Sequence, residues 1–244
     1  MTFVHKKKDK VLGIFCTLFN GEPYVNGYLE NVREQSIFES TRFYVLDCAS
    51  EDKGGEIAQK FAEKHPNVFY KRLEKDCGLY AGWNICTNWS QEEYIGNWNI
   101  DDRKTPWSLE VLLNGILKDD SLDLVYGKTI VTTKPNDKWD TSLGNRVYPC
   151  LEHSFPNLLL NNSPHCMPIW KRSLHQRFGG FNEHYMTASD TDMWLKSCKG
   201  GANMKMINEI VGLYYENPTG RSTNPETLEK MIKEVRYVRS LYER

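Results

Sequence analysis

Residues 93–106 read "EYIGNWNIDDRKTP", a hydrophobic strand that runs into two adjacent aspartates. Successive side chains of a strand point to opposite faces, so Asp101 and Asp102 can serve one site only where the strand has ended and the chain is turning. The following Arg103, Lys104, Thr105 and Pro106 supply that turn. Two neighbouring carboxylates repel each other, and a cation or solvent must offset their charge. Hard oxygen donors suit Mg²⁺ or Mn²⁺ shared with a substrate phosphate. The plainer alternative is a solvated acidic turn paired with Arg103 or Lys104.

Upstream, apolar runs rich in β-branched and aromatic residues alternate with helix-like segments, the pattern of parallel strands joined by crossover helices. Strands are expected over 11–18, 43–46, 68–70 and 94–100, with helices over 24–35, 55–64 and 80–89. Asn20, Asp47 and the Asp101-Asp102 pair each follow a strand, at the edge where open α/β sheets bind ligands. Downstream, a helix over 108–117 precedes a strand over 122–126 that continues toward Thr132, then a polar and aromatic stretch over 134–164. Asn224, Pro225 and Glu226 read as N-cap, first-turn proline and first-turn acid. Leu228, Met231, Ile232, Val235, Val238 and Leu241 form one apolar stripe, so the terminal helix is expected to pack on the body. The fold class is α/β, with a mixed, mainly parallel sheet flanked by helices.

A chain of 244 residues with 40% hydrophobic and 26% charged residues can bury a sizeable core. A net charge of −1 leaves no nucleic-acid footprint. Lys6, Lys7, Lys8 and Lys10 mark residues 1–10 as a flexible basic tail, which would suit peripheral contact with anionic lipid. No apolar run has the length needed to cross a bilayer or the form of a secretory signal, so a soluble, cytoplasmic protein is expected. Seven cysteines without a Cys-x-x-Cys pair read as reduced, structural thiols. Trp83, Trp98, Trp170 and Trp194 are numerous enough for a ligand-stacking platform, but core positions suit them better.

Five blocks in order carry a resemblance: "CTLFNGEPYV", "VLDCASED", "DCGLYAGWN", "NIDDR" and "FGGFNEHYMTASDTDMWLK". Over roughly residues 11–196 the chain resembles the family-two glycosyltransferases, whose Rossmann-like fold is called GT-A. The resemblance implies one GT-A domain over 11–224, with a nucleotide-sugar half at 11–105 and an acceptor and catalytic half at 106–224, followed by the helix at 225–244. It makes Thr17, Phe19 and Asn20 the loop that receives the nucleotide, and Asp47 the acid that meets base or ribose. Asp76, Gly78 and Asn84 fall in the third nucleotide-side motif. Asn99, Asp101 and Asp102 match the metal motif, with Asp102 the direct ligand of Mn²⁺ or Mg²⁺ and Asp101 at the ribose. The family often carries a second acid after the first on strand two, where this chain has Cys48. A uridine diphosphate sugar is favoured, with guanosine and thymidine donors open.

Asp190 matches the family's general base. From the residues alone, Ser189 or Asp190 caps a helix and Asp47 closes a turn with Ser50 and Asp52. The implied reaction is an inverting transfer to an acceptor hydroxyl of a glycan, with Asp190 taking the acceptor's proton and Asp102 holding the metal on the other side of the sugar. His165 resembles a histidine near the donor sugar, Gly180 lies in a turn that could approach the sugar, and Arg221 sits on a loop that could fold over the diphosphate. Acceptor contacts are expected in the stretch after residue 134. A sugar nucleotidyltransferase would need a glycine-rich loop with a basic residue after strand one, and "FNGEPYV" has neither. An aspartyl phosphatase would carry its paired acids after the first strand. A non-catalytic protein that binds a nucleotide sugar or a partner remains the alternative of another class.

Overall fold

Seven residues of continuous apolar character, Leu12–Leu18, form β1, which is buried on both faces as a central parallel strand must be. It pairs in parallel with β2 (Thr41–Asp47) on one side and with β4 (Tyr94–Asn97) on the other, and β2 pairs in parallel with β3 (Val68–Arg72). Helices α1 (Glu22–Arg33), α2 (Gly54–Lys64) and α3 (Leu79–Trp89) make the crossovers. The computed structural model describes residues 11–144, 146–165 and 167–243, and the basic cluster at Lys6, Lys7, Lys8 and Lys10 lies outside them.

The sheet continues through strands less visible in the sequence. Beyond β4 come β5 (Arg103–Lys104), α4 (Ser108–Leu117), β6 (Leu124–Thr132), β7 (Arg146–Val147) and α5 (Phe155–Leu160). These are followed by β8 (Ile169–Lys171), α6 (Ser173–Phe178), α7 (Ser189–Lys199), β9 (Met204–Tyr215) and α8 (Pro225–Ser240). The strand order is β3-β2-β1-β4-β8-β6-β9-β5, with β7 beside β6. Each antiparallel pair spans only two or three residues, while β6 and β9 run parallel over most of their length. The sheet is therefore mixed and mainly parallel, as expected.

Alternation along β1 divides the core between the two faces. Ile14, Cys16 and Leu18 join Val25, Tyr28 and Leu29 of α1 and Leu109, Leu112 and Ile116 of α4. Phe15 points the other way, toward Trp83 of α3, Trp170 of β8 and Trp194 of α7. Burying each such side chain contributes about 1.5–3 kcal/mol. Trp98, Trp170 and Trp194 are fully buried, so these three are core residues.

Two expectations need correction. β4 stops at Asn97, because the chain turns through Trp98 to Asp102, where Trp98 Nε1 donates to Asp102 O (3.2 Å). The polar and aromatic stretch over 134–164 holds β7 and α5, elements that the sequence pattern did not mark, and Ser154 Oγ caps α5 by accepting from Asn157 N. Along α8, Val238 is buried, but Leu228, Ile232 and Leu241 are exposed, so only part of the apolar stripe packs inward. The Asn224 cap is present, its Oδ1 accepting from Glu226 N (2.9 Å).

Trp170 Nε1 donates to His175 Nε2 (3.0 Å), which requires a neutral imidazole, and burial pushes His175 down to about 4. The unfolded chain binds this proton at the ordinary histidine value while the folded chain does not, so stability falls as pH drops from about 6.5 toward 4. Urea unfolding across that range should show a loss of roughly 3 kcal/mol from this group, and His175→Gln should flatten the profile. An unchanged slope in that variant would contradict the assignment.

Candidate active site

At the carboxyl ends of β1 and β4 lies a cavity of about 640 Å³, within the size range of small-ligand sites. Its walls come from every part of the chain: Thr17 of β1, Tyr80 and Trp83 of α3, Asn99 and Asp101 of the turn after β4, and Asp190 of α7. Arg146, Tyr148, Asn162 and His165 line another side, and Tyr214, Arg221, Val235 and Arg239 complete it.

Within the acidic turn Asp102 is buried and Asp101 is half-buried. Asp102 is 1% exposed; its Oδ1 accepts from Tyr215 N and its Oδ2 from Asn99 Nδ2, both at 3.0 Å. Arg103 does not pair with the carboxylates by hydrogen bonds. Its guanidinium donates to Ile100 O (3.0 Å), Asp102 O (2.7 Å), Tyr24 O (3.1 Å) and Asn136 Oδ1, shaping the turn from beneath. Burial pushes Asp101 and Asp102 above the ordinary carboxylate range; the Asp101 charge adds to this at Asp102, and the Arg103 cation opposes it at both. Asp101 faces the cavity, and Asn217 Nδ2 lies 3.3 Å from its Oδ2. Asp102 is set back from the cavity lining, and each of its oxygens accepts one hydrogen bond. The two carboxylates offer hard oxygen donors, which fit a divalent cation, and the Asn99 and Asn217 amide nitrogens donate to them.

Asp190 sits in the first turn of α7. Its Oδ1 accepts from Thr191 N (2.8 Å) and Tyr80 OH (3.3 Å), and its Oδ2 accepts from Asn162 Nδ2 (2.8 Å). Burial pushes its carboxyl up, and these three bonds pull partly back. Neither Ser189 nor Asp190 is the N-cap. That position is Ala188, and the cap comes from α8, where Glu234 accepts from Met186 N (2.8 Å), Thr187 N (2.7 Å), Thr187 Oγ1 (3.0 Å) and Ala188 N (2.9 Å).

Of the residues singled out in the sequence, Thr17, Asn99, Asp101, His165, Asp190 and Arg221 meet in this cavity. The others lie elsewhere. Phe19 is half exposed outside it, and Asn20 ties the loops after β1 and β2 together, its N–H donating to Ser50 Oγ and its Oδ1 accepting from Glu51 N. Asp47 is closed off by Ser50 N (2.8 Å), Tyr70 OH (2.7 Å) and Arg72. Burial alone would raise its carboxyl, but these bonds hold it below the ordinary range. Asn84 clasps the Phe181 loop, donating to Phe181 O and accepting from Phe181 N, and a Cβ on Gly180 would stand 2.6 Å from Asn84 Oδ1. Gly78 is the N-cap of α3 with φ 81°, and its N–H donates to Asp76 Oδ1 (2.8 Å). His165 holds φ 42°, its ring stacked on Tyr148 at 3.9 Å and edge-on to Tyr214 at 4.5 Å. Sequence reading missed Tyr80, Asn162, Arg239 and Glu234; the last carried one faint signal, an acid bordering the apolar stripe of α8.

The sequence profile "Glycosyl transferase family 2" matches residues 14–178. Among curated relatives, the chain is 26% identical over 207 residues to a hyaluronan synthase of Pasteurella multocida, covering 84% of this chain and 20% of that protein. It is 26% identical over 218 residues to a chondroitin synthase of Escherichia coli, covering 85% and 31%. The chain thus spans between a fifth and a third of the length of these relatives. Among solved structures, S. aureus TarS 1-349 in complex with UDP-GlcNAc superposes with a TM-score of 0.74 at 16% identity, over 93% of this chain and 66% of that one. A mannosyltransferase from Pyrobaculum calidifontis in complex with GDP-Man and Mn²⁺ gives 0.66 at 17%, over 95% and 70%. The architecture is that of the GT-A fold. Among the described residues, no helix is long and apolar enough to cross a membrane.

The Glu234 cap makes a specific demand on stability. Glu234→Ala should lower the unfolding free energy by about 1–3 kcal/mol, because it strips a charged acceptor from several partly buried donors at once. Breaking the exposed Glu229–Lys233 pair of the same helix by Glu229→Ala should change it by less than about 1 kcal/mol. Equal losses in the two variants would show that Glu234 does not anchor α7.

Proposed function

The chain belongs to glycosyl transferase family 2, and on that premise we propose that this cavity performs an inverting, metal-dependent transfer of a sugar from a uridine diphosphate sugar to a hydroxyl of a growing polysaccharide. The observation that carries the reading is the meeting of Asp101 and Asp190 in one cavity. The two acids have different surroundings, one beside a second carboxylate after a strand end and the other at a helix N-terminus. Likeness to hyaluronan and chondroitin synthases supports a polysaccharide acceptor, and the UDP-GlcNAc complex among the structural neighbours supports the uridine donor.

Asp101, backed by Asp102, would hold Mn²⁺ or Mg²⁺. When bound, such a cation offsets the negative charge that develops on the departing diphosphate. Asp190 acts on the acceptor. Its carboxylate takes the hydroxyl proton as the acceptor oxygen bonds to the anomeric carbon from one face, while the bond from that carbon to the phosphate oxygen breaks on the other and the nucleoside diphosphate leaves. Asn162 and Tyr80 fix the direction in which the carboxylate points. Burial, by raising the proton affinity of Asp190, makes it the stronger base. Arg221 and Arg239 on the α8 side supply positive charge that suits the phosphates.

Asp190→Asn should lower transfer by about 10²- to 10⁴-fold while nucleotide affinity is unchanged. In the unmutated protein the rate should rise with pH through the titration of Asp190, above the ordinary carboxylate range, since the protonated acid cannot accept the hydroxyl proton. Transfer by Asp190→Asn at close to the normal rate would overturn this mechanism.

A further inference from the structure

Two thiols meet where the end of β2 approaches the start of α3, outside the residues that line the cavity. Cys48 follows the last residue of β2 and is buried, its N–H donating to Leu18 O (2.7 Å). Cys77 precedes the N-cap of α3, and the two sulfurs stand 3.9 Å apart. Asp76 completes the group: one carboxylate oxygen and both sulfurs all lie within 4.8 Å of one another. The packing above is close. A Cβ on Gly82 would stand 2.8 Å from Thr17 Cγ2 and 3.6 and 3.7 Å from the sulfurs of Cys48 and Cys77, so glycine lets α3 settle over the pair.

The spacing discriminates between uses of two thiols. A disulfide needs its sulfurs about 2.05 Å apart. Two thiolates on a tetrahedral cation, each at about 2.3 Å, stand about 3.8 Å apart, which matches the observed separation. We propose that Cys48, Cys77 and Asp76 form a site for one thiophilic divalent cation of the zinc class, with the fourth position left to water. Sulfur donors separate it chemically from the oxygen-lined Asp101 and Asp102. The cation displaces the thiol protons on binding, and it ties the end of β2 to the start of α3. Because the ligands come from two distant segments and not from a Cys-x-x-Cys pair, sequence spacing does not announce the site.

The test uses the whole chain, freed of metal and kept reduced with a phosphine, and titrated with Co²⁺. The site requires thiolate-to-cobalt charge-transfer absorption that saturates at one equivalent per chain and is discharged by Zn²⁺. Cys77→Ser, at a half-buried position, should lose the band, as should Cys48→Ser. Asp101→Asn should retain it, and so should Cys198→Ser, whose sulfur lies 3.5 Å from His153 Nε2. No band in the unmutated chain, or a band that survives in Cys77→Ser, would overturn the proposal.

Discussion

Two adjacent carboxylates, one buried and one at the cavity surface, govern the architecture around β9. Asp102 is tolerated in the interior because Tyr215 N–H, Asn99 and the nearby Arg103 cation together compensate it. Tyr215 reaches the acid only because β9 runs there, and β9 is held in place at that end by the two-residue strand β5. Short as it is, β5 therefore couples the acidic turn to the longest strand of the sheet. Of the two acids, Asp101 is the one at the cavity surface, where a cation can meet it.

The opposite wall depends on a second electrostatic arrangement. Asp190 is aimed by Asn162 and Tyr80, and the chain just before α7 is held by Glu234 of α8. Tyr242 OH adds a bond to Asp192 Oδ1 (2.7 Å) from beyond the end of that helix. A carboxylate also complements the positive end of the α7 dipole. Helix α8 thus both lines the cavity and fixes the residue proposed as the base, so the C-terminal segment is part of the site and not an appendage to it.

The first half of the fold was legible because its strands are continuous apolar runs and its helices carry clear periodicity, with turns marked by Asn20-Gly21 and the acidic pair. Strands β8 and β9 were not, since three residues of Ile169–Lys171 give no period and Asn208 and Glu209 interrupt the apolar pattern of β9. In the site, residues at strand ends could be placed by position alone. Which of Asp101 and Asp102 faces the cavity could not, because it is decided by the Tyr215 N–H, a contact with a residue distant in sequence. Asp47, Asn84 and Asn20 illustrate the converse: their polar side chains serve loop-to-loop hydrogen bonds that only the folded chain reveals. The thiol pair was invisible for the same reason.

The central claim is that the acidic turn holds a cation together with a nucleoside diphosphate. Thermal unfolding with uridine, guanosine, thymidine and cytidine diphosphates, each with and without Mn²⁺, tests it directly. The account predicts stabilisation by the uridine nucleotide only when Mn²⁺ is present, about 2.7 kcal/mol at 100 times the dissociation constant. Stabilisation by none of the four, or an equal effect without the metal, would contradict it.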